Sequence, residues 1–99
     1  ANLDEILKVD DIDVFFVAPS DLAQTMGHIG NPGHPEVQTA IDGAISRIVS
    51  AGRVAGTLVN DENVARYLEQ GVRFTMTSWN AWVARGAASF LNKVTGAGI

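Results

Sequence analysis

A chain of 99 residues, 46% apolar and 7% aromatic, can build one hydrophobic core, and that content excludes a disordered segment. Seven Lys and Arg against eleven Asp and Glu leave a net charge of -4 with no basic block, which argues against a nucleic-acid partner, because phosphate binding needs clustered cations. Cysteine is absent, removing disulfides and thiolate sites, and no apolar run approaches the roughly 20 residues that span a bilayer.

In chain order, Asn2-Leu3-Asp4-Glu5 reads as a helix start, with Asn2 as cap and Glu5 at the reciprocal capping position. Asp13 to Ala18 is apolar on both faces, as in a parallel strand buried between two layers, and Pro19 ends it. A short helix over Ser20 to Met26 leads into a loop dense in Gly and Pro, Gly27 to His34. Pro35 suits a first helical position, and Val37, Ile41, Ile45 and Ile48 repeat at helical spacing until Gly52. Val54 to Val59 forms a second strand. Asn60 or Asp61 then caps a helix whose inward side is Val64, Ala65 and Leu68, ended by Gly71. Val72 to Thr77 is the third strand. Ser78 or Asn80 caps a last helix built on Trp82, Val83, Ala87, Phe90, Leu91 and Val94, and Ala97-Gly98-Ile99 reads as a frayed tail.

The order β-α-β-α-β-α makes residues 1–99 one domain of α/β class with no Gly-rich dinucleotide loop. Three parallel strands leave open edges, so the pattern fits either a small α/β layer or a segment of a closed barrel. The cysteine-free composition and the lack of a secretory leader pattern fit a cytoplasmic location.

Reactive side chains of parallel α/β folds gather at strand C-termini. Three clusters qualify: Pro19-Ser20-Asp21, Asn60-Asp61-Glu62 and Thr77-Ser78-Trp79-Asn80. Asp21 is the foremost candidate, because a carboxylate beyond a buried strand can hold a hard divalent cation through oxygen; its ordinary alternative is a first-turn charge. One carboxylate is too few for a metal site, so other ligands must come from elsewhere. His28 and His34 can titrate or bind substrate, but they lack a recognised metal spacing, and His34-Pro35-Glu36 also makes sense as a helix entry. Gly27, Gly30 and Gly33 serve flexibility more readily than anion binding. Asn60, Asp61 and Glu62 read as a helix start. Trp79 fits a pocket mouth or an interface, whereas Trp82 fits the packed face of its helix. Arg73 belongs to an outer surface or subunit contact, and Arg47, Arg53, Arg66 and Arg85 are scattered.

The run Val17-Ala18-Pro19-Ser20-Asp21-Leu22-Ala23, followed by Met26-Gly27 and Gly30-Asn31-Pro32-Gly33-His34-Pro35-Glu36-Val37, closely resembles the HpcH/HpaI aldolase family. Asn2-Leu3-Asp4-Glu5-Ile6, Ala51-Gly52 with Gly56, and Tyr67-Leu68-Glu69-Gln70-Gly71 before Arg73-Phe74 extend the match over essentially the whole chain. The resemblance implies the C-terminal three β/α units of a (β/α)8 TIM barrel, completed by an absent or separate N-terminal segment. It implies a carbon–carbon lyase that reversibly cleaves a 4-hydroxy-2-oxo acid to pyruvate, or a related 2-oxo acid, and an aldehyde. It assigns Asp21 to a divalent metal, Mg²⁺ or Mn²⁺, that polarises the ketone. A partner glutamate, a His and an Arg are expected in the N-terminal portion, so the isolated segment should be inactive. Pro19 and Ser20 then shape the substrate loop, and Trp79 adds bulk at the pocket.

Ala18 and Ala23 stand where the family commonly has Gly and Ser, and Thr77-Ser78-Trp79-Asn80 replaces a common Val-Asp-Thr segment. These departures support an alternative: decarboxylation of oxaloacetate coupled to carbon–carbon bond formation, as in macrophomate synthase-like relatives. A non-catalytic scaffold or assembly piece is the other alternative. Family members usually form homo-oligomers, commonly hexamers, in which the terminal helix packs on a neighbouring barrel. The helix from Trp82 to Val94 suits that exchange.

Overall fold

The computed structural model describes residues 2–96; the tail expected at 97–99 lies outside the described residues. Helices and strands alternate as α1 (Leu3–Ile6), β1 (Phe15–Val17), α2 (Pro19–Thr25), α3 (Pro35–Ser50), β2 (Ala55–Leu58), α4 (Val64–Glu69), β3 (Phe74–Met76) and α5 (Asn80–Gly96). The strands form one open parallel sheet in the order β1-β2-β3, with Phe15 opposite Ala55 and Gly56 opposite Phe74. The fold is therefore α/β with an unclosed sheet, consistent with part of a barrel.

One side of the sheet carries the core. Val37, Ile41, Ile45 and Ile48 all point inward from α3, as their spacing predicts, and pack with Phe15, Ala23, Ala55, Val59, Tyr67 and Val72. Each such fully buried side chain stabilises the fold by about 1.5–3 kcal/mol through removal of apolar surface from water. Thr57 is fully buried in the central strand, and its hydroxyl donates to Val17 O at 2.8 Å, satisfying an otherwise costly polar group.

The other side of the sheet is open. Phe16, Gly56 and Phe74 lie in register across the three strands, and the two rings meet edge-to-face at 6.3 Å between centroids. Gly56 permits this. A Cβ there would stand 3.0 Å from Phe74 Cδ1, Phe74 O and Val14 Cγ1. Leu58 and Met76 continue the exposed apolar face. The strand expected to be buried on both sides is thus covered on one side only within these residues, since the second layer has no counterpart in this part of the chain.

Several local expectations change. Asn2 makes no side-chain capping bond, so the anticipated reciprocal cap on α1 does not form. Pro19 does not merely stop β1; it occupies the first turn of α2, where its missing N–H costs nothing. On α4 the buried side chain is Tyr67, whereas Ala65 and Leu68 are exposed, because the face that meets the core is turned from the one the apolar pattern suggests. The helix begins at Val64 rather than directly after Asn60. Asn60 and Asn63 instead bond reciprocally, each side-chain oxygen accepting the other's N–H at 2.8 and 2.9 Å. Helix α5 has no buried residue at all, including Trp82, which was expected on a packed face.

Arg53, which composition made inconspicuous, ties down the segment before β1. Its guanidinium donates to Leu7 O (2.6 Å), Val9 O (3.1 Å) and Ile12 O (2.9 Å) and lies over the Phe15 ring. The planar fork of donors makes three simultaneous bonds possible. Arg73 is exposed; its guanidinium donates to the nearby carbonyls Leu68 O and Val72 O, and its backbone N–H to Ala55 O. No helix among the described residues is long and apolar enough to cross a membrane.

Candidate functional site

Because the strands are parallel, all three end on the same side, and the segments following them converge there. Pro19 and Ser20 from the start of α2, Asn60, Asp61 and Glu62 after β2, and Thr77 and Ser78 after β3 line one cleft of about 690 Å³. Pro32 and Gly33 from the loop before α3 form part of its wall, and Ala81, Trp82 and Arg85 of α5 close another side. The side-chain N–H of Gln38 donates to Pro32 O at 2.9 Å, holding the loop wall to α3.

Asp61 joins two side chains of α5 across this cleft. Its Oδ1 accepts the Trp82 indole N–H at 3.0 Å, and its Oδ2 pairs with the Arg85 guanidinium at 2.5 Å. Trp82 and Arg85 stand three apart on α5, so both project from one helical face. The Trp82 hydrogen bond, aided by Arg85, holds the Asp61 carboxyl below its ordinary range. Sequence reading assigned Asp61 to a helix start; its partners lie over 20 residues downstream, and nothing local signals them.

Asp21 sits in the first turn of α2 and is exposed. It faces a different cleft, about 650 Å³, lined by Phe16, Val17 and Ala18 of the β1 region together with Leu22, Thr39, Ala40 and Arg47. The cleft includes no β2 residue, which places Asp21 toward the unpaired edge of β1. Among the described residues its carboxylate has neither a hydrogen-bond partner nor an ion pair; only its backbone oxygen is used, accepting from Thr25 Oγ1 at 3.0 Å. Pro19 and Ser20 therefore share a cleft with Asp61, and Asp21 opens onto the neighbouring one. Trp79 is 67% exposed and lines neither cleft.

The loop before α3 holds an arrangement that sequence reading did not anticipate. The rings of His28 and His34 stack with centroids 3.7 Å apart and planes 14° from parallel. His28 Nε2 is 3.2 Å from Glu36 Oε2, and His34 Nδ1 accepts the Glu36 N–H at 3.1 Å, making His34 the cap of α3. His34 does mark a helix entry, as expected. The three side chains nevertheless bring one ligand atom each within 4.8 Å of one another, a grouping that could hold a metal ion. Spacing did not reveal it because the loop is not periodic: a turn between residues 28 and 34, with Gly30 in the left-handed region, folds the rings together.

The HpcH/HpaI aldolase/citrate lyase family model matches residues 1–85. A hydroxypyruvate/pyruvate aldolase of Cupriavidus necator is 49% identical over 88 residues, covering 88% of this chain and 33% of the relative. A 4-hydroxy-2-oxo-heptane-1,7-dioate aldolase of Klebsiella pneumoniae is 46% identical over 96 residues, covering 95% of this chain and 36% of the relative. The crystal structure of an HpcH/HpaI aldolase/citrate lyase family protein from Burkholderia cenocepacia J2315 superposes with a TM-score of 0.81 at 33% identity, covering 94% of this chain and 37% of that one. The citrate synthase SbnG shares the fold at a TM-score of 0.78 and 20% identity. The chain spans about a third of the length of the curated relatives it matches.

Proposed function

The chain belongs to the HpcH/HpaI aldolase/citrate lyase family, and on that premise we propose that residues 1–99 are the C-terminal three β/α units of a (β/α)8 barrel whose whole catalyses metal-dependent reversible aldol cleavage. The substrate class is a 4-hydroxy-2-oxo acid, released as a small 2-oxo acid such as pyruvate and an aldehyde. The observation that carries this reading is Asp21: a carboxylate one turn beyond β1 with no partner among the described residues, open toward the strand's unpaired edge. A preceding strand would pair at that edge and bring further ligands beside it. Similarity to aldolases acting on hydroxypyruvate, pyruvate and 4-hydroxy-2-oxo-heptane-1,7-dioate supports the reaction type.

The donor set suits a hard cation. A free carboxylate with no competing bond offers oxygen, as Mg²⁺ and Mn²⁺ prefer, and the substrate's own oxygens and the remaining barrel supply the rest. When bound, such an ion withdraws electrons from a ketone and stabilises negative charge at its oxygen. Asp21 orients and partly neutralises the ion; it does not remove a proton. Pro19 and Ser20 shape the turn between β1 and the ion-binding position, placing backbone groups at the substrate's carboxylate end. Trp79 completes the substrate pocket from β3's end once the barrel is closed. The exposed face of Phe16, Leu58, Phe74 and Met76 becomes the barrel interior, and exposed Val83, Phe90 and Leu91 of α5 support packing against another copy in a homo-oligomer.

The test is Asp21→Ala in the whole protein. Metal-dependent pyruvate release should fall at least 100-fold with circular dichroism and assembly state unchanged. Normal turnover and metal affinity in the variant would refute the assignment.

A further inference from the structure

We propose that His28, His34 and Glu36 form a second divalent-metal site, for a borderline transition ion such as Zn²⁺, which clamps the loop forming the wall of the strand-end cleft. This site is separate from the oxygen-donor position at Asp21. Two imidazoles and one carboxylate favour Zn²⁺ or its neighbours, whereas a lone carboxylate favours Mg²⁺ or Mn²⁺.

The geometry is close to what ligation requires. Zinc–ligand bonds of roughly 2.0–2.1 Å put donor atoms of a tetrahedral site about 3.3 Å apart. The contact between His28 Nε2 and Glu36 Oε2, at 3.2 Å, already has that spacing, and all three ligand atoms lie within 4.8 Å. His34 presents the correct nitrogen form. Its Nδ1 accepts the Glu36 N–H and so presents a lone pair. An ion would take the lone pair in place of the N–H, which is at an exposed position and can turn to water. An ion must also lie in the plane of each ring, so the parallel stack has to open by rotation about the soft Cβ–Cγ torsions. The fourth position is left to water.

The consequence lies in what sits between the ligands. Pro32 and Gly33 are bracketed by His28 and His34 and line the cleft at the strand ends. Gln38 holds this wall through a bond to Pro32 O, and the His28–Glu36 contact and the His34 cap tie the loop's ends to α3. An ion bridging His28, His34 and Glu36 cross-links both ends of the loop to the first turn of α3, adding a constraint on the wall without entering the cleft.

The experiment is Zn²⁺ titration of the whole protein by calorimetry, with Co²⁺ absorption reporting imidazole ligation. His34→Asn is the informative variant, because asparagine can still accept the Glu36 N–H as a cap but supplies no imidazole. His28→Ala and Glu36→Gln complete the set. Each should weaken Zn²⁺ binding at least 10-fold and abolish the Co²⁺ signature, while Asp21→Ala leaves both unchanged. Parent-like Zn²⁺ affinity in His34→Asn and His28→Ala, millimolar binding in the parent, or loss of the signal only with Asp21→Ala would each overturn the proposal. Mg²⁺-dependent turnover is read separately. Its failure would count against the aldolase reading and leave the zinc result standing.

Discussion

The indole of Trp82 donates to Asp61 Oδ1 at 3.0 Å, joining the first turn of α5 to the segment after β2. Arg85 takes the second oxygen of the same carboxylate. The paired contact ties α5, none of whose residues is buried, to the segment after β2.

The contact should respond to acid. Asp61 has a folded-state pKa lowered from 3.8, first by Trp82 and then by Arg85. A lowered carboxyl pKa contributes stability that is present above the unfolded value and lost as pH falls through the folded one. In a Trp79→Phe background, Trp82 fluorescence should therefore change at a midpoint below 3.8. Asp61→Asn should remove that transition and keep an acceptor for the indole. An identical acid titration in the Asn variant would show that another group reports.

Arg53 is expected to matter for stability although it lies far from either cleft. Arg53→Ala strips three carbonyls of their donor, and the loss should be about 2 kcal/mol by urea denaturation. Lys should recover little of it, because one ammonium cannot reproduce a fork reaching Leu7, Val9 and Ile12 together. Full recovery by Lys would mean that charge alone supplies the effect.

Gly56→Ala should destabilise the protein by about 1–3 kcal/mol, the usual cost of inserting a methyl group into occupied space. The methyl would meet Phe74 backbone oxygen at 3.0 Å, and backbone cannot rotate away as a side-chain tip can. Pairing the change with Phe74→Leu should recover little, since the carbonyl contact persists. A neutral Gly56→Ala would show that β3 shifts freely at this edge.

The element order, the inward stripe Val37-Ile41-Ile45-Ile48 and the family resemblance were all legible in the sequence. Each depends on local information: helical and strand periodicity, a proline at a helix start, or an ordered run of recognisable residues. Tertiary structure alone decided which side chains meet across long separations. Tyr67 rather than Leu68 enters the core because the helix phase is set by what it packs against, not by its own apolar count. Asp61 acquires Trp82 and Arg85 only when β2 and β3 end side by side. His28, His34 and Glu36 converge because an aperiodic loop turns back on itself. Periodicity specifies which way a residue faces along its own element, and contacts between elements depend on how those faces are assembled.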